Sequence, residues 1–86
     1  MIDEQKIESE IRTMVAKIVK EPEAKIKLES DLFDDLGVDS LSGVEIFAAL
    51  DTKYGIAIPE TKLHEVTTLK DLIDLAKEQI AAKVSK

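Results

Sequence analysis

Residues 36–50 read Leu36-Gly37-Val38-Asp39-Ser40-Leu41-Ser42-Gly43-Val44-Glu45-Ile46-Phe47-Ala48-Ala49-Leu50. Gly37 can adopt the left-handed conformation that ends a turn, and Asp39 and Ser40 are residue types that start a helix by capping its free N–H groups. Beyond them Leu41, Val44, Phe47 and Ala48 recur at helical spacing, with Ile46 and Leu50 on a broader face. Gly55 stops the pattern, so the spacing predicts a helix from about Ser40 to Tyr54. Its exact start has three readings: Asp39 as cap, Ser40 as cap, or a capping box between Ser42 and Glu45 that begins two residues later.

Working outward from this segment, two further helices emerge. Ile7, Ile11, Met14, Val15, Ile18 and Val19 form one apolar stripe that should end near Lys20–Glu21, because Pro22 disfavours α geometry in the residue before it. Towards the C-terminus, Leu69, Leu72, Ile73, Ala76, Ile80 and Val84 make the cleanest stripe, and Thr68 with Asp71 has the form of a capping box. Between Gly55 and Thr68, Pro59 could start a short helical turn through Leu63 to Val66. Residues 21–39 lack a sustained period. Leu28, Leu32, Phe33 and Leu36 are expected to anchor them as a packed loop, with Ser30 capping a single turn that Gly37 closes. No segment alternates like a strand. The expected fold is all-α: a four-helix bundle of three main helices plus a short third one, with a long loop between helices 1 and 2, spanning residues 1–86 as a single domain.

Composition narrows the function. With no Cys and one His, disulfides, thiolate metal sites, a cysteine nucleophile and a histidine metal cluster are excluded. Twelve Lys+Arg against 18 Asp+Glu leave a net charge of −6, which disfavours nucleic acid and anionic membrane surfaces as partners. The longest apolar run, Ile46–Leu50, is far too short to span a membrane. Met1-Ile2-Asp3-Glu4 has neither the basic start nor the apolar stretch of a signal peptide, so a cytoplasmic monomer is expected. The charge is not evenly spread. Between Lys27 and Lys53 stand seven acids (Glu29, Asp31, Asp34, Asp35, Asp39, Glu45, Asp51) and no base, whereas the rest of the chain is close to neutral.

Catalytic arrangements are missing from the sequence. His64 has no Ser or acid placed beside it in a recognisable motif, and Gly37, Gly43 and Gly55 are too scattered for a phosphate loop. A calcium loop counted from Asp31 fails, since Phe33 falls at its third position and Leu36 at its sixth, where an acid or amide and a glycine are needed. The chain is therefore expected not to be an enzyme.

Leu36-Gly37-Val38-Asp39-Ser40-Leu41 resembles the hallmark of the acyl carrier protein family, a Leu-Gly-x-Asp-Ser-Leu segment that opens the second helix of a four-helix bundle. The likeness extends through Val44-Glu45-Ile46, Ile58-Pro59, Thr67-Thr68 and the amphipathic last helix, and so covers essentially the whole chain. It implies that Ser40 carries 4′-phosphopantetheine, attached as a phosphodiester by a phosphopantetheinyl transferase that uses coenzyme A. It also implies that Asp39 assists the transferase, and that Asp39, Leu41, Val44, Glu45 and Asp51 serve recognition by acyl-transferring, condensing or ligating enzymes with basic docking patches. Phe47, Leu63 and Ile73 are implied as lining of an acyl pocket, although a plain core role is at least as good a reading of them. The implied activity is presentation of acyl thioesters in fatty acid, lipid or related acyl biosynthesis. A peptidyl or aminoacyl carrier, and an unmodified acidic helical interaction domain, are the rival readings. Ser42 stands where many fatty-acid carriers have Asp, Gly43 places a helix-weakening residue in the first turn, and Asp51-Thr52-Lys53-Tyr54 replaces a more acidic run. These departures point to a specialised bacterial-type carrier.

Overall fold

The computed structural model describes residues 3–84, apart from the side chain of Val84; the Met1-Ile2 start and Val84's place in the last apolar stripe lie outside what it describes. It contains helix α1 (Glu4–Val19), a 3₁₀ turn at Glu23–Lys25, helix α2 (Ser40–Tyr54), a short 3₁₀ helix at Glu60–Glu65, and helix α3 (Leu69–Val84). This is the expected all-helical bundle, with the 3₁₀ helix as its short third member. Asp3 starts α1 by accepting from the Lys6 N–H at 3.1 Å. At the other end Lys20 takes the left-handed conformation (φ 61°), and its N–H bonds back to the Ala16 carbonyl. Ile7, Ile11, Val15 and Ala16 of α1 meet Ile46, Phe47 and Leu50 of α2 and Leu69, Leu72, Ile73 and Ala76 of α3 in one core.

Residues 21–39 form a packed loop in which Leu28, Leu32 and Leu36 pack against the core as expected, but Phe33 does not and the cap is another residue. Ile26, Leu32, Leu36 and Val38 are buried, whereas Phe33 is 36% exposed and anchors nothing. Ser30 does not cap the following turn; its hydroxyl accepts from the N–H of Lys27 behind it. Asp31 is the cap, taking the N–H groups of Phe33 and Asp34 at 2.8 Å each, and Asp35 reaches back to the Asp31 N–H. Gly37 closes the turn with φ 69°.

The loop is stitched to the start of α3. The Leu32 N–H donates to the Thr67 carbonyl at 2.8 Å, the Leu69 N–H to Ser30 at 3.0 Å, and the Lys70 N–H to Leu28 at 2.9 Å. Asp31 and Thr68 thus form an isolated antiparallel bridge. A single pair has no alternation to read, so the sequence carries no sign of it. At that junction the box forms as expected: the Asp71 N–H donates to the Thr68 hydroxyl, and the Asp71 carboxylate accepts from the N–H groups of Thr68 and Thr67.

Helix α2 is rotated relative to the face expected from its apolar spacing. Gly43, Ile46, Phe47 and Leu50 point inward, and Leu41, Val44 and Ala48 point out. The helix is apolar on most of its circumference, so periodicity alone could not choose the buried side. At Gly43 the inward side comes close to the 3₁₀ helix, and a Cβ there would meet the end of the Leu63 side chain. Glycine is there for close approach rather than for flexibility.

Candidate functional site

Asp39, not Ser40 or Ser42, caps α2. It has extended backbone (φ −117°, ψ −173°), its side chain accepts from the Ser42 N–H at 2.8 Å, and its carbonyl receives the first helical bond, from Gly43. Ser42 therefore already lies inside the helix, and the alternative start at a Ser42–Glu45 box is excluded. Hydrogen bonds from the Ser42 backbone and then the Ser42 hydroxyl hold the Asp39 carboxyl below its ordinary range. Asp39 is ionised at neutral pH and committed to the cap.

Ser40 is the first residue of the helix proper and is exposed. Because Asp39 does the capping, the Ser40 hydroxyl plays no part in it and stays on the surface. The N–H groups of Ser40 and Leu41 precede the first intrahelical bond, at the positive end of the helix dipole. An anion joined to Ser40 would find donors and a favourable field beside it.

Below Ser40 runs an outward stripe. Leu41 is 68% exposed and Val44 37%, and Glu45, Ala48 and Asp51 are exposed with them. Spacings of three and four place Leu41, Val44, Glu45 and Ala48 on one face, with Asp51 at its flank. The recognition residues named from the sequence thus share one surface of α2, headed by Asp39 and Ser40. Phe47, Leu63 and Ile73 lie in the core, each less than a tenth exposed.

Two features escaped sequence reasoning. Leu63 sits directly on Gly43, its Cδ1 2.9 Å from where a Cβ would be, and the one available signal was a glycine inside a helix where no turn requires it. At the far end of α2 the Tyr54 hydroxyl donates to Glu10 at 2.7 Å, Lys53 lies 3.6 Å from the same carboxylate, and Lys83 donates to the Tyr54 carbonyl. Partial burial, then the bond to ionised Glu10, pushes the Tyr54 phenol well above its ordinary range, so it stays a donor. Its partners lie 44 and 29 residues away, and no local pattern connects them.

Fold and site together define a small helical bundle that displays an exposed hydroxyl, outside the cap, at the head of its second helix. Residues 9–76 match the family described as the phosphopantetheine attachment site, and the chain belongs to that family of carrier proteins, whose prosthetic group is 4′-phosphopantetheine. The residues present fit that group: an exposed hydroxyl at the head of a helix, beside backbone N–H groups that make no intrahelical bond. Solved structures share the fold. The apo doublet acyl carrier protein from prodigiosin biosynthesis matches with a TM-score of 0.74 and 24% identity, covering 87% of this chain and 36% of that one. The chain thus spans about a third of that protein's length. The HMG-ACPI domain from the CurA module of Lyngbya majuscula matches with a TM-score of 0.76 and 26% identity, covering 94% of this chain and 82% of that one. No helix among the described residues is long and apolar enough to cross a membrane.

Proposed function

We propose that Ser40 is the attachment residue and that the chain is an acyl carrier that presents acyl thioesters to partner enzymes as a single domain, residues 1–86, monomeric and cytoplasmic. The observation that carries this is the division of labour at the head of α2: Asp39 caps the helix and leaves the Ser40 hydroxyl exposed and uncommitted. When attached, phosphopantetheine supplies the thiol that this cysteine-free chain lacks, on an arm long enough to raise the local concentration of the acyl group at a partner's active site. The chain itself holds the arm's root, offers backbone donors to the phosphodiester, and presents a docking face.

That face consists of Leu41 and Val44 flanked by Asp39, Glu45 and Asp51, and it suits the basic, partly apolar patch of a phosphopantetheinyl transferase or of an acyl-transferring, condensing or ligating enzyme. Exposed acids around a small apolar centre give fast, salt-sensitive and short-lived association, as a substrate shared among enzymes requires. A specialised pathway fits better than housekeeping fatty acid synthesis. Ser42 and Lys53 thin the acidity of α2, and the two similar solved carriers are named for prodigiosin biosynthesis and for the CurA module. Phe47, Leu63 and Ile73 are proposed to receive the distal part of a longer acyl chain.

Incubating the chain with coenzyme A and a broad-specificity transferase, then measuring intact mass, tests the attachment. One added phosphopantetheine that disappears in Ser40→Ala is the expected result; no addition under conditions that modify a control carrier would exclude it.

A further inference from the structure

Among the described residues the exposed large apolar side chains are Phe33, Leu41 and Val44. Apolar residues scattered singly over a surface need no explanation, but these all fall between positions 33 and 44, on both sides of Ser40. Leu41 and Val44 belong to the α2 face already described. Phe33 does not: it stands on the turn before the helix, and that turn is fixed. Phe33 and Asp34 give their N–H groups to the Asp31 carboxylate, the Phe33 carbonyl accepts from the Gly37 N–H at 3.2 Å, and the neighbouring Leu32 is held in the core. From that contact three residues of chain, at most about 11 Å, lead to Ser40. Val44 lies on the other side of the serine, about 6 Å along the helix.

The charges divide in the same way. Among the described residues the carboxylates that make ion pairs are those of Glu4, Glu8, Glu10, Glu65 and Asp74, all outside residues 28–52. The acids inside that window keep their charge free of any internal base, and two of them border the apolar anchors: exposed Asp34 follows Phe33, and exposed Glu45 follows Val44.

Resting on the carrier reading above, we propose that Phe33 is a second docking anchor, which together with Leu41 and Val44 lets a partner enzyme straddle Ser40. The partner it fits is a protein surface with two apolar depressions set in a basic rim, beginning with the transferase that modifies Ser40. A ring held on a fixed turn loses little freedom on binding, so most of its burial counts towards affinity. Anchors on either side of the serine also fix the direction of approach, which a single helical face leaves free to pivot. Asp34 and Glu45 gain lysine or arginine partners from the rim without first breaking an internal pair.

The test uses the full unmodified chain and a broad-specificity transferase. With coenzyme A present, initial rates of mass gain at Ser40 are measured against carrier concentration. Phe33→Ala should raise KM by about tenfold, as loss of an aromatic anchor does, and leave kcat within about twofold. Phe33→Leu should fall between, and Asp34→Asn should flatten the salt dependence of KM. Circular dichroism and the urea midpoint check that each variant is folded. Without coenzyme A, the amide NMR signals of the parent are followed as transferase is added, which needs no variant. Those of Phe33 and Asp34 should move together with those of Leu41 and Val44. An unchanged KM in folded Phe33→Ala, a loss confined to kcat, or amide shifts confined to α2 would overturn the second anchor. If the Phe33 signals move when the chain alone is concentrated and not when transferase is added, the ring serves a second copy and the proposal falls. No mass gain at Ser40 in the parent, where a control carrier is modified, would instead overturn the carrier reading, and the anchor with it.

Discussion

Helices α2 and α3 begin with the same three ingredients, a hydroxyl, an acid and a row of unpaired N–H groups, and use them in opposite ways. At α3 the hydroxyl is the cap. The Thr68 hydroxyl takes the Asp71 N–H, Asp71 reaches back to two backbone donors, and nothing at that end is left to react. At α2 the acid is the cap: Asp39 takes the Ser42 N–H, and the hydroxyl stands one residue further on, exposed. The α3 start is also stitched to the loop at residues 28–32, whereas the α2 start faces solvent. A capping hydroxyl is spent on stability. Moving the cap to the acid releases the hydroxyl for chemistry at no structural cost.

The largest effect that can break this comparison is a double dissociation. Ser40→Ala should abolish phosphopantetheine attachment completely and leave urea stability within about 0.5 kcal/mol of the parent, because an exposed side chain outside the cap contributes little. Thr68→Ala should do the reverse: full attachment by intact mass, but a loss of about 1 kcal/mol, equivalent to roughly 4–8 °C in Tm for a domain of this size. If Ser40→Ala destabilises as much as Thr68→Ala, the serine is a cap and the contrast between the two helix starts collapses.

A smaller effect separates the two duties assigned to Asp39. Asn caps a helix about as well as Asp, so Asp39→Asn should keep the cap and lose at neutral pH only the stability that the depressed carboxyl contributes. It removes a charge next to Ser40, and the initial rate of transferase modification should fall several-fold, with a weaker dependence on salt. An unchanged rate would leave Asp39 with the cap alone and restrict recognition to Leu41, Val44, Glu45 and Asp51.

The two helix starts were not equally legible in the sequence. At α3 the Thr68–Asp71 spacing names both partners, and the box forms as read. At α2 three polar residues within four positions (Asp39, Ser40, Ser42) can each begin a helix, and only backbone geometry selects among them. The attachment candidate was visible in the Leu36–Leu41 segment, yet the reason its hydroxyl is free was not. The same limit applies to packing. Among the described residues the stripes of α1 and α3 face the core as read, but α2 is apolar nearly all round, and its inward side sets Gly43 against Leu63, twenty residues further along the chain. Contacts of that range, like Tyr54 with Glu10, leave no periodic trace.

The smallest effect concerns charge at the α3 start and is visible only as a function of pH. Hydrogen bonds from the Thr68 and then the Thr67 backbone hold the Asp71 carboxyl below its ordinary value of 3.8. The unfolded chain therefore binds a proton at a pH where the folded chain still does not. Stability rises with pH across that interval, being complete above the ordinary value and lost as pH falls through the folded one. Asp71→Asn keeps an oxygen for the same N–H groups and removes the titration. The difference in urea stability between parent and variant should accordingly be constant well above 3.8 and shrink below it, while the other carboxylates, common to both proteins, largely cancel. Asp39→Asn at α2 should show the same sign, because hydrogen bonds also depress Asp39. Attaching the phosphodiester at Ser40 should then split the pair. An anion set beside Asp39 raises its carboxyl back towards the ordinary value and erodes its pH-dependent contribution, whereas Asp71 keeps its own unchanged. Equal curves for the holo forms at both sites would mean that the arm's phosphate does not lie at the head of α2.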